Sequence, residues 1–129
     1  MAEMEKLTIN LSPVDVGQIE LLVEQGFYAN RAEFIRVAIH DQLARHGDVV
    51  RDTTTRKQMV MGAVVYDRKA LERAREKREK LSLRVVGLLA IGSDVTPALA
   101  RETIESVSVH GVFRASEAVK EALAERMVA

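Results

Sequence analysis

Apolar and polar residues alternate near the start of the chain. Leu7, Ile9 and Leu11 fall on one side, and Lys6, Thr8 and Asn10 on the other. That is the period of a half-buried strand. Ser12-Pro13 then opens a helix, with Ser12 as its N-cap and Pro13 in the first turn, where the missing N–H costs nothing. Gly26 closes that helix as a left-handed residue. Asn30 begins a second helix, with Glu33 three residues on in capping-box spacing. This helix, Arg31 to Arg45, carries Phe34, Ile35, Val37, Ala38, Ile39 and Leu43. Such an arc is wider than one small neighbouring helix covers. A lone strand also leaves its backbone groups without partners. Both features imply a second copy of the chain, with the strands paired antiparallel about a two-fold axis and the second helices interlocked beneath them. The expected dimer core is Leu7, Ile9, Leu11, Phe34, Ile35, Ala38 and Ile39.

Beyond the second helix the pattern changes. Residues 47–58, GDVVRDTTTRKQ, are polar and without period, and read as a linker that begins where Gly47 ends the second helix. A repeat follows. Gly62-Ala-Val-Val, Gly87-Leu-Leu-Ala and Gly111-Val-Phe-Arg lie 25 and 24 residues apart, each within a run that reads as a strand followed by a helix. Asp67 to Lys80 is the first of these helices, long and charged. Thr96-Pro97 opens the second, and Ser116-Glu117 the third. The predicted class is α+β: a dimerisation unit at 1–46, a linker at 47–58, and an α/β unit of three β-α repeats at 59–129.

Composition bounds the chemistry. The 129 residues suit one ordinary domain or two small ones, and 47% hydrophobic content is too high for a disordered chain. There is no cysteine, which excludes disulfides and thiolate metal sites. No secretory signal is visible in the first residues, and no apolar run approaches the ~20 residues of a membrane span. A cytoplasmic protein without membrane association is expected. His40 and His46 lack the i, i+4 spacing of a paired metal site, His110 falls in a predicted strand, and Gly87 to Gly92 lacks the lysine of a phosphate loop. No catalytic residues, metal or cofactor are predicted, and the protein is read as a non-enzyme.

Formal charge sums to zero, but unevenly. Residues 1–46 carry −3, residues 47–82 carry +4 and residues 83–129 carry −1. Non-specific attraction of the first segment to a polyanion is therefore modest.

The runs KLTINLSP and YANRAEFIRVAI, with the Gly26 break between them, resemble the ribbon-helix-helix DNA-binding family of the CopG, Arc and MetJ type. The resemblance covers about the N-terminal third. It implies a homodimer whose two-stranded ribbon enters the major groove of double-stranded DNA. By position, Lys6, Thr8 and Asn10 become the base readers, and their chemistry suits guanine, thymine and adenine edges. The resemblance also implies a phosphate at the start of the second helix, near Asn30 and Arg31, with Arg36 as a further backbone contact.

For the C-terminal half, the alternative to three parallel β-α units is the βαββαβ regulatory domain of the nickel-responsive ribbon-helix-helix repressor. The absence of cysteine departs from that protein. The favoured function is a dimeric transcriptional regulator, with the C-terminal unit building a higher oligomer or sensing an effector. Two alternatives remain open. One is an antitoxin that represses its own operon and binds a toxin. The other is an assembly protein whose ribbon only dimerises.

Overall fold

The computed structural model describes residues 4–129. The chain divides into two compact units, one ending at Asp48 and the other spanning Val49–Ala129.

In the first unit, α1 (Pro13–Glu24) and α2 (Arg31–Arg45) are joined by a tight turn. Ser12 caps α1, its hydroxyl accepting the Asp15 N–H at 3.1 Å. Asn30 caps α2 through the Glu33 N–H at 2.8 Å, and the Glu33 carboxylate reaches back to the Ala29 N–H at 2.7 Å. This is the reciprocal exchange of a capping box, displaced by one residue at its return bond. α1 ends in a Schellman turn: Phe27 N–H donates to Leu22, Gly26 N–H donates to Val23, and Gly26 has φ +87°. Tyr28 meets Phe34 edge to face with ring centroids 5.0 Å apart, which fixes the entry to α2.

Residues 6–11 differ from the expected strand: in the single chain they lie outside any regular element. A strand is defined by its pairing, and within the described chain nothing pairs with this segment.

A second correction concerns residues 47–58. Gly47–Arg56 is a helix, α3, and not an aperiodic linker. Gly47 starts this helix, while the C-cap of α2 is His46. The Thr54 hydroxyl donates to the Val50 carbonyl at 2.7 Å, which lets a β-branched residue satisfy its polar atom inside a helix.

The second unit continues as β1 (Val60–Tyr66), α4 (Arg68–Glu76), β2 (Leu81–Ile91), α5 (Pro97–Thr103), β3 (Ile104–Arg114) and α6 (Glu117–Leu123), followed by a 3-10 turn at Ala124–Arg126. The strands form one parallel sheet in the order β1-β2-β3. This element order departs from βαββαβ. Asp67, Thr96 and Ser116 cap the three helices with side-chain oxygens. α4 is shorter than the expected Asp67–Lys80 because Arg78 turns left-handed at φ +57°.

The core lies between the sheet and these helices. Leu71 of α4, Leu99 of α5, and Val119 and Leu123 of α6 pack against Leu83, Val85 and Leu89 of β2 and Val107 of β3. Leu71 is fully buried although six of the nine residues of its helix are charged; burying such a side chain contributes ~1.5–3 kcal/mol. Thr103, also fully buried, satisfies its hydroxyl on the Leu99 carbonyl at 2.8 Å.

The glycines of the repeat pair with one another. Gly62 lies beside Gly87, and Gly87 beside Gly111. All three have φ between +131° and +135°. A Cβ at Gly111 would strike the carbonyl of Gly87, and one at Gly87 the carbonyl of Gly62. Here glycine is required twice, by backbone conformation and by the neighbouring strand.

Candidate nucleic-acid interface

Lys6, Thr8 and Asn10 are all exposed. So, however, are the apolar residues between them: Leu7 is 81% exposed, Ile9 58% and Leu11 42%. The segment therefore has an apolar side with little of the chain to cover it. Ile9 and Leu11 line a groove of about 410 Å³ together with Ile19 and Leu22 of α1 and Phe34, Ile35, Ala38 and Ile39 of α2. Six of the seven expected dimer-core residues thus border one open apolar groove; Leu7 does not line it. Phe34 and Ile35 are half-buried, and Ala38 and Ile39 are exposed. Among the described residues of this unit, Ile19 is the only buried hydrophobic.

The candidate phosphate-binding residues are arranged unevenly. Asn30 spends its side-chain oxygen on the Glu33 N–H. Its amide NH2 is a donor, and the first N–H groups of α2 point out of the helix start, as at any helix N-terminus. The Arg31 guanidinium lies 3.6 Å from the carboxylate of Glu20 on α1, with both side chains well exposed. In water such a pair contributes little, ~0–1 kcal/mol, so Arg31 can leave Glu20 for a phosphate. Glu20 is the residue that reading the sequence missed. No spacing rule pairs it with Arg31; the crossing of α1 and α2 does. Arg36 is exposed.

Other chemistry is sparse. His46 approaches Gln42 at 3.4 Å at the end of α2. Among the described residues no group of three or more His, Asp or Glu is placed to hold a metal ion, and no helix is long and apolar enough to cross a membrane.

Comparison with known proteins gives these features a context. No solved structure matches the chain. It is 33% identical over 45 residues to the transcriptional regulator CdrS of Halobacterium salinarum, an alignment covering 35% of this chain and 82% of that protein. Residues 2–120 match the ribbon-helix-helix transcriptional regulator family. That match extends well past the N-terminal third that carries the resemblance, through β1 to β3 and into α6. The chain belongs to the ribbon-helix-helix transcriptional regulator family.

Proposed function

We propose that this protein is a homodimeric regulator that binds operator DNA through a two-stranded ribbon formed by residues 6–11 of two copies. The observation that carries the reading is the open apolar groove bordered by Ile9, Leu11, Phe34 and Ile39. A helical pair with a single buried hydrophobic residue among those described is too poorly packed to stand alone. Covering the groove with the same surface of a second copy completes one shared core, and antiparallel pairing satisfies the backbone of residues 6–11. Lys6, Thr8 and Asn10 alternate with the apolar residues and so share the outward face. Two-fold symmetry presents six such side chains to a major groove, while the start of α2 and Arg31 hold the phosphates.

The three β-α units are read as an internal repeat that serves assembly or sensing. Net charge near zero makes placed contacts, rather than bulk attraction, the source of affinity.

The test is recovery of bound fragments from a genomic DNA library by the full chain and by a Lys6→Ala/Thr8→Ala/Asn10→Ala variant. The parent should enrich a palindromic sequence, and the folded, dimeric variant should lose that preference. A variant that selects the same sequence would exclude the ribbon as reader.

A further inference from the structure

We propose that the free edge of β1 pairs antiparallel with β1 of a second copy, joining two three-stranded sheets into one. β1 bonds to β2 along its whole length, Val60 to Tyr66, with no shift in register. In the three-stranded sheet its other edge has no strand beside it among the described residues. Val60, Met61 and Val65 are 55%, 57% and 66% exposed. An edge of this kind is normally protected by charge, proline, a bulge or a covering segment. From Gln58 to Tyr66 there is no charged residue and no proline. The unusual φ of Gly62 is not an edge-blocking bulge, because Gly87 and Gly111 share it within continuous pairing.

The opposite edge of the sheet is different. β3 carries Glu105, His110 and Arg114. Its backbone is engaged near the start, where Val107 bridges Met127 and accepts the Val128 N–H at 2.8 Å. Among the described residues, the chain thus covers part of one edge and sets no strand on the other. A head-to-tail stack of β3 on β1 would have to displace Met127 and Val128.

Self-pairing of β1 requires no displacement. Two-fold symmetry sets like charge against like charge near its axis, and this segment has none to oppose. The register that uses all seven residues places Ala63 opposite its own equivalent, Met61 opposite Val65, and Val60 opposite Tyr66. Met61, Ala63 and Val65 then form a continuous apolar row across the junction, since residues two apart share a face. Gly62 is consistent with this arrangement. The position that the Gly62 carbonyl fills beside Gly87 is open beside Gly62 itself, leaving room for the backbone of another strand.

The absence of native cysteine permits a direct test in the full chain. Ala63→Cys, Met61→Cys, Val65→Cys and the double Met61→Cys/Val65→Cys variants are oxidised mildly, checked for parent-like circular dichroism, and run without reductant. Ala63→Cys and the double variant should convert most of the chain to a covalent dimer, because directly opposite positions come within disulfide reach. The Met61→Cys and Val65→Cys single variants should remain largely monomeric on the gel, each lying several residues from its own equivalent. Folded Ala63→Cys and double variants that both stay uncrosslinked would overturn the proposal, as would equal cross-linking of all three single variants.

Discussion

Removal of Asn10 and removal of Arg31 should have effects that differ in kind. Asn10→Ala is expected to cost ~1–3 kcal/mol for each base it no longer bonds, and to relax preference at one position per half-site. Arg31→Ala should weaken binding to all sequences alike, and titrations at several salt concentrations should show a slope lower by about 0.9 for each phosphate no longer neutralised. The neighbouring Glu20 adds a third case: Glu20→Gln frees Arg31 and removes a negative charge, so affinity should rise without a change in sequence preference. Helix starts were legible at single residues. Ser12, Asn30, Thr96 and Ser116 announce themselves because their side-chain oxygens cap an N–H three residues on. Two helix ends were not legible. α3 and α4 finish in the same Schellman pattern as α1, but Gln58 and Arg78 occupy the left-handed position, at φ +53° and +57°. No glycine marks them. Gln58→Gly and Arg78→Gly should each stabilise the protein by about 0.5–1 kcal/mol in urea denaturation, relieving a strained backbone against some added entropy in the unfolded chain.

At the scale of elements, the glycine row offers a graded test. Gly111→Ala and Gly87→Ala each force a methyl group onto a neighbouring strand, whereas Gly62→Ala meets nothing within 4 Å. The first two should lower the melting temperature markedly, at a cost of several kcal/mol from strain and collision together; the third should cost only the strain, ~1–3 kcal/mol. The repeat spacing of 25 and 24 residues was visible in the sequence, and it places the three glycines in one register across a parallel sheet. What the spacing could not give was the reason for glycine, which lies in the backbone of the adjacent strand. α3 was hidden for another cause. Its sequence, GDVVRDTTTR, has three consecutive threonines and no long apolar stripe, so nothing local distinguishes it from a connecting segment. The strand expected at 6–11 was read from alternation alone; in the single chain the segment lies outside any regular element, and the strand belongs to the dimer proposed above.

For the whole molecule, the two units should behave differently when separated. Among the described residues, 49–129 contain almost all of the buried hydrophobic side chains, and this segment should give a cooperative thermal transition when expressed alone. Residues 1–48 should melt at a temperature that rises with protein concentration, and Phe34→Ala should abolish that transition by removing an aromatic group from the core that two copies are proposed to share, at a cost of about 3–5 kcal/mol. The open groove between α1 and α2 also has a consequence for the protein in a cell. In the proposed dimer, a newly made copy carries an unfinished core until it meets another, and an unfinished core is a substrate for proteases. Scarce copies would then be degraded before they pair, while abundant ones protect each other. Because assembly goes as the square of concentration, occupancy of a target site should rise more steeply than the amount of protein made, giving a threshold in gene dosage without any effector.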